Sequence, residues 1–268
     1  LSLLRDLIEE RTGIHYADRQ IEILADRVRN RMAELGQLSF LDYYYLLKYD
    51  EGADAEWPLL HSCVTVNETY FWREAEILEL VISRLIPERR AFTKGPVRVW
   101  HAGCSTGEEP YSLAMGLQES GEFMRTAVEI KASDLDVQAL ETAQRAVYRE
   151  RSLRYLPENL KEKYFNPLPG AHFALQREIR DRVHFARENL LEVSPPPESL
   201  DIIFCRNVLI YFRDAMVVKV LQTLQKALRE GGYLMMGASE SLLRFQTDFQ
   251  LVEKGGLLTY CKESKRGT

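Results

Sequence analysis

Apolar residues recur at helical spacing along the first third of the chain. Leu3, Leu4, Leu7 and Ile8 make one stripe that ends near Gly13. Ile21, Leu24, Val28, Met32 and Leu35 make a second, stopped by Gly36. Ser39 is placed to cap a third helix with Phe40, Tyr43, Tyr44 and Leu47 on its core side. After a polar stretch over 51–56, residues 57–66 read as helix. Residues 70–85 read as another, closed by Pro87.

At Lys94-Gly95-Pro96 the period changes. Short apolar runs over 97–102, 127–133, 182–186, 200–205 and 232–238 predict strands. Helical patterns over 111–117, 137–148 and 216–228 lie between them, the last stopped by Gly231-Gly232. Residues 250–253 and 257–261 predict a hairpin around Lys254-Gly255-Gly256. The interval 155–185 breaks the alternation. Asn166-Pro-Leu-Pro-Gly170, beside apolar stretches over 173–176 and 178–185, predicts a small antiparallel excursion. Ser194-Pro-Pro-Pro197 reads as a linker. The pattern predicts an α/β chain: an all-helical N-terminal domain over 1–90, then a mainly parallel mixed sheet over 91–268 with a β insert at 155–185.

Composition narrows the function classes. With 268 residues, 46% of them hydrophobic, the chain can bury a sizeable core. A net charge of −5 argues against a nucleic-acid partner held by phosphate contacts. No apolar run approaches the ~20 residues of a membrane span, and no signal-peptide pattern is present. Cys63, Cys104, Cys205 and Cys261 lack metal-ligand spacing. The expectation is a reduced, cytoplasmic, monomeric protein without a metal.

The chemistry concentrates at predicted strand ends, where open α/β sheets bind ligands. After the first strand come Gly103 and Gly107, which allow a tight turn and close ligand approach, then Glu108, Glu109 and Pro110 at a helix start. A phosphate wants positive charge and free N–H groups at such a turn. Two carboxylates suit a cation with hydroxyl and amine donors instead, and S-adenosylmethionine has that character. Asp134 follows the second strand and is placed to accept from ribose hydroxyls. Asn189-Leu190 follows the third and suits an adenine edge and face. Arg206-Asn207 follows the fourth. His101 lies within the first strand and reads as a packed residue.

Four motifs resemble the chemotaxis receptor methyltransferases, the CheR family: Cys104-Ser-Thr-Gly-Glu-Glu-Pro-Tyr111, Ala132-Ser-Asp-Leu-Asp136, Asn189-Leu-Leu191 and Phe204-Cys-Arg-Asn-Val-Leu-Ile-Tyr-Phe212. Val66-Asn-Glu-Thr-Tyr-Phe-Trp-Arg-Glu74 resembles that family's entry to its active site. The resemblance covers essentially the whole chain. It implies a Rossmann-like class I methyltransferase fold. It implies that Asn67, Thr69 and Arg73 line the S-adenosylmethionine pocket from the helical side. Gly103, Glu109, Asp134, Asn189, Leu190, Arg206 and Asn207 would bind the cofactor from the sheet side. Arg73 and Tyr211 would lie nearest the transferred methyl. The implied substrate is the glutamate side chain on chemoreceptor cytoplasmic helices, and the by-product S-adenosylhomocysteine.

For docking, Arg27 and Arg31 lie one turn apart on the second helix, with Arg19 further round. The resemblance implies that this helix meets the receptor's acidic helical bundle. Residues 1–60 carry 7 Lys/Arg against 12 Asp/Glu, so any positive patch there is local. Some family members grip a receptor C-terminal pentapeptide through a longer glycine-containing loop in the β insert. The short connection here predicts independence from that tether. A base methyltransferase would place an Asn/Asp-Pro-Pro-aromatic motif after the fourth strand, where this chain has Cys205-Arg-Asn-Val208. A small-molecule carboxyl methyltransferase and a noncatalytic cofactor-binding sensor are the other readings.

Overall fold

The computed structural model describes residues 1–263. Four helices come first: α1 (Ser2–Thr12), α2 (Ile21–Glu34), α3 (Phe40–Tyr49) and α4 (Ala53–Val64). Leu4, Ile8, Leu24, Val28, Tyr43, Leu47, Leu60 and Val64 interlock as their shared core. Ser39 caps α3 by accepting from the Asp42 N–H at 3.1 Å. Two expected stripe members face solvent: Leu3 on the outer side of α1 and Leu35 beyond the last turn of α2. Helix α4 starts at Ala53, because Asp54 and Glu56 favour a helix N-terminus rather than a loop.

Next come α5 (Ala75–Leu80), a π turn (Val81–Leu85) and α6 (Ile86–Phe92). Pro87 does not close this helix. The π turn resets the ladder, and Pro87 sits in the first turn of α6, where no donated N–H is required. Leu78, Val81, Leu85 and Ile86 belong to the core of the sheet, not to that of the first four helices. The packing boundary therefore falls between Val64 and Phe71, ahead of the break expected near residue 90.

The chain continues through β1 (Val97–Ala102), α7 (Glu108–Glu119), α8 (Glu122–Arg125), β2 (Val128–Asp134) and α9 (Val137–Arg145). Then follow β3 (Val147–Arg149), α10 (Glu150–Leu153), α11 (Glu158–Tyr164), β4 (Phe165–Leu168), β5 (His172–Leu175) and α12 (Arg177–Arg180). The last elements are β6 (Val183–Arg187), β7 (Leu200–Phe204), α13 (Asp214–Ala227), β8 (Leu228–Met235), β9 (Phe249–Lys254) and β10 (Leu257–Lys262). The seven-stranded sheet has the order β6-β2-β1-β7-β8-β10-β9. Its first five strands are parallel, and the β9–β10 hairpin adds an antiparallel edge. Strands β3, β5 and β4 form a separate antiparallel sheet.

Three boundaries differ from the sequence reading. Helix α9 stops at Arg145, with Ala146 at φ 52, and Tyr148 enters β3, so the β insert begins before residue 155. Residues 178–185 do not extend the insert: α12 turns the chain, and β6 joins the main sheet parallel to β2. Helix α13 gives way directly to β8 at Leu228, and Gly231 and Gly232 lie inside that strand rather than before it. The β7–β8 register shift between Leu200 and Ile202 absorbs them as an irregularity.

Asp201 anchors the amino end of β7. Its fully buried carboxylate accepts from Arg89 Nε at 3.3 Å, Arg229 Nη1 at 2.5 Å, Thr93 Oγ1 at 2.9 Å and the Arg98 N–H at 3.0 Å. Removing it strands the Arg89 guanidinium in the interior. Asp201→Ala is expected to cost ~3–5 kcal/mol of stability in urea titration; a loss below ~1 kcal/mol would contradict the anchoring role.

Candidate active site

A cavity of about 310 Å³ opens at the carboxyl ends of β1, β2, β6 and β7. Its wall on the other side is the end of α1, part of α2 and the segment 64–73. The turn after β1 is forced by packing. Gly103 has φ +83, and an added Cβ would lie 2.5 Å from Val208 Cγ2. Gly107 has φ +90, and its Cβ would lie 2.8 Å from Ala143 Cβ. Both positions need glycine for conformation and for space.

Asp134 reaches the cavity from the end of β2. It accepts from the Ser105 N–H at 2.7 Å and the Asp136 N–H at 2.9 Å. Burial raises its carboxyl pKa above the ordinary value, and these N–H groups offset part of that. A ligand hydroxyl donor would relieve the remaining desolvation.

Glu109 and Arg206 meet beneath the cavity. Arg206 Nη1 donates to Glu109 Oε2 at 2.5 Å, and Arg206 Nη2 lies 3.0 Å from Glu74 Oε2. His101 Nδ1 is 2.8 Å from Glu109 Oε1. His101 is buried and stacked on Phe204 with ring centroids 4.3 Å apart. Burial alone would raise the Glu109 pKa, but Arg206 and His101 outweigh it and bring it down to about 2. Arg206 also reaches the Arg73 carbonyl at 3.4 Å. Trp72 and Glu74, on either side of Arg73, have φ 65 and 54. Such strain persists only where surroundings over-determine it, and Arg206 is one of the groups that do so.

Each expected site residue can now be placed. Asn67, Thr69, Arg73, Gly103, Glu109, Asp134, Asn189, Leu190, Arg206, Asn207 and Tyr211 all line this one cavity. Their side chains are not equally free. Asn67 donates to Asp136 Oδ2 at 2.6 Å and accepts from Ser105 Oγ at 2.8 Å. Asn189 donates to the Arg11 carbonyl at 2.8 Å and accepts from the Leu191 N–H at 3.0 Å. Arg73 donates to the Glu68 carbonyl at 2.9 Å and forms no ion pair with Glu74 or Glu76 among the described residues. Burial raises the Tyr211 pKa, and Arg73 is the strongest of the groups that oppose it, which puts the two side chains within electrostatic reach.

The arginines of α2 are spent within the protein. Arg27 donates to the Val64 and Thr65 carbonyls, both at 3.0 Å. Arg31 grips Glu56 with two bonds of 2.8 and 2.6 Å. Neither is the free surface cation that the docking expectation requires; Arg19 is exposed.

Two carboxylates that organise the site were missed in the sequence. Glu240 accepts from the N–H groups of Asn207 (2.6 Å), Val208 (3.1 Å), Leu209 (3.0 Å) and Gly237 (2.9 Å). It thereby fixes the loop that carries Arg206 and Tyr211, including Asn207 at φ 58. Asp136 caps α9 and accepts from Ser62, Thr65 and Asn67 across the domain seam. Its place after Asp134 in the sequence was the available signal.

Residues 1–65 match the family model described as the CheR methyltransferase all-alpha domain. Residues 67–256 match the CheR methyltransferase SAM-binding domain. The chain belongs to the CheR methyltransferase family. It is similar to chemotaxis protein methyltransferase 2 of Vibrio cholerae, with 32% identity over 92% of this chain and 87% of that one. The chemotaxis protein methyltransferase of Klebsiella aerogenes is 35% identical over 92% of this chain and 85% of that one. The one from Escherichia coli K12 is 34% identical over 92% and 86%. The CheR fold thus joins an all-helical domain to an S-adenosylmethionine-dependent methyltransferase domain.

The Glu240 clamp and the Glu109 pair can each be tested. Glu240→Gln puts an amide donor where backbone N–H groups point. It is expected to lower kcat/KM at least about tenfold; unchanged kinetics would contradict the clamp. Glu109 has a folded pKa of about 2 against an ordinary 4.5. Its stabilising contribution is complete above about pH 4.5 and is lost as pH falls toward about 2. Thermal melts of the unaltered protein should therefore lose Tm more steeply than those of Glu109→Gln across that window. Parallel curves would contradict the assignment.

Proposed function

We propose that this chain transfers the methyl group of S-adenosylmethionine to the γ-carboxylate of glutamates on chemoreceptor cytoplasmic helices. The observation that carries the reading is one cavity lined by a half-buried strand-end carboxylate, Asp134, and by Arg73 and Tyr211 from two other segments. The relatives' names supply the chemotactic context.

The donor set fits S-adenosylmethionine. Asp134, half-buried with one backbone N–H on each carboxylate oxygen, keeps lone pairs for the ribose hydroxyls. Leu190 and the Asn189 backbone suit the adenine. Gly103 and Asn207, which line the cavity with their N–H groups already donated to Ser133 and Glu240, would flank the methionine portion, and Glu109, with lone pairs remaining beside its Arg206 bond, suits an ammonium. Asn67 and Thr69 close the helical side. When bound, this cofactor supplies a methyl group made electrophilic by its sulfonium.

The protein's own residues then have little proton chemistry to perform. A glutamate carboxyl has an ordinary pKa of ~4.3 and is ionised at neutral pH. Arg73 orients that carboxylate through a charge-assisted hydrogen bond, and Tyr211 fixes the opposite side. Apolar residues such as Ile14, Val66 and Phe212 limit water at the reacting atoms. No helix among the described residues is long and apolar enough to cross a membrane. A protein working on the receptor's cytoplasmic helices acts in the cytoplasm.

The deciding experiment incubates the protein with methyl-labelled S-adenosylmethionine and a chemoreceptor cytoplasmic fragment. Base-labile label on the fragment is expected. Label on a small carboxylic acid alone, or tight cofactor binding with no transfer, would overturn the reading. Arg73→Ala should lower kcat by ~10²-fold or more with a smaller change in S-adenosylhomocysteine affinity; equal losses in both would assign Arg73 to cofactor binding alone. The β4–β5 connection is only Pro169-Gly170-Ala171. We expect calorimetry to detect no binding of a receptor C-terminal pentapeptide, and micromolar binding would contradict the proposed tether independence.

A further inference from the structure

With Arg27 and Arg31 held internally, the cationic surface beside the cavity lies elsewhere. It is built where the segment after Asn67 meets the first part of the β insert. The Phe71 N–H donates to the Ser152 carbonyl at 2.9 Å, which ties the two segments together. Arg154 stacks over the Tyr70 ring with its guanidinium carbon 4.0 Å from the centroid. Arg73, which lines the cavity, sits 5.7 Å from the same centroid. Tyr155 packs beside Tyr70 at 5.0 Å and is 62% exposed. One tyrosine ring therefore links the cavity's arginine to an external arginine–aromatic platform.

Arg149, at the end of β3, and Arg151, in α10, shortly precede Arg154 in the chain and are exposed. Neither forms an ion pair among the described residues. Arg154 donates to the Arg151 carbonyl at 2.7 Å, which holds the turn that presents them. Its contact with Glu68 is 3.4 Å long between exposed side chains, so an incoming carboxylate can replace it at little cost. The chain as a whole carries −5, yet here three arginines fall within residues 149–154, and the acid among them, Glu150, is paired with Lys161 at 2.8 Å.

We infer that this platform docks an acidic helical segment that carries the methyl-accepting glutamate, an inference that rests on the receptor reading above. Carboxylates one and two turns along the same helix face as the acceptor would meet Arg154, Arg151 and Arg149 while the acceptor itself enters beside Arg73. Guanidinium groups suit this task because they pair with carboxylates in a planar fork and stack on Tyr70 and Tyr155 when unoccupied. Charge placed at the rim orients the encounter and speeds it without adding much to cofactor binding.

The test is the double variant Arg149→Ser/Arg151→Ser in the full chain, which leaves the Arg154–Tyr70 stack intact. At low salt, KM for a chemoreceptor cytoplasmic fragment should rise about tenfold, with kcat within about twofold. S-adenosylhomocysteine affinity by calorimetry should be unchanged, which also shows that the variant is folded. The KM of the unaltered protein should climb more steeply with ionic strength than that of the variant. Unchanged KM and unchanged salt dependence, in a protein that does methylate the fragment, would overturn the docking surface alone. Absence of transfer by the unaltered protein would overturn the receptor reading and the docking surface together.

Discussion

A single carboxylate, Asp136, sets the geometry on which the site depends. It stands at the start of α9, where an acid satisfies free N–H groups, and it accepts there from Gln138 and Ala139. Its remaining lone pairs accept from Ser62, Thr65 and Asn67, all on the helical side of the seam. Burial would raise its pKa, but these donors, Ser62 and Asn67 foremost, bring it below the ordinary value. Asn67 then passes the constraint on, because its other amide atom accepts from Ser105 in the glycine turn. Helical domain, second strand and glycine turn are thus fixed relative to one another through one acid and one amide.

The other polar residues of the cavity divide into those spent on assembly and those left for ligands. Glu240 fixes the loop after β7, and Arg206 holds Glu109, Glu74 and the backbone of Arg73. Asn189 ties the third strand end to α1. Asp134, Glu109, Arg73 and Tyr211 line the cavity with bonding capacity left for ligands. Such an arrangement suits the proposed reaction, in which both reactants arrive already activated, one as a sulfonium and the other as an ionised carboxylate. Alignment and exclusion of water are then the protein's main contributions.

Much of this was legible in the residues. The alternation of periods predicts the two-part fold, and acids and amides at successive strand ends mark the cavity. The misses share a physical cause: local pattern does not report which partner a polar group finds. The arginines of α2 read as surface cations because the spacing cannot show that Val64, Thr65 and Glu56 lie within reach. Glu240 gave no signal because three of its four partners are backbone N–H groups more than thirty residues upstream. Pro87 read as a helix stop because the π turn that accommodates it has no sequence mark of its own. Likewise, Tyr148 reads as the end of a helix until β5 pairs with it.

Asp136 thus assembles the cavity across the domain seam. Calorimetric titration of S-adenosylhomocysteine into Asp136→Asn tests it most directly. The substitution keeps the shape and some capping ability but puts an amide donor against the hydroxyl and amide donors of Ser62, Thr65 and Asn67. Binding at least about tenfold weaker, the equivalent of ~1.4 kcal/mol, is expected in a protein that remains folded. Binding of unaltered affinity would show that the cavity forms without the seam, and would contradict it.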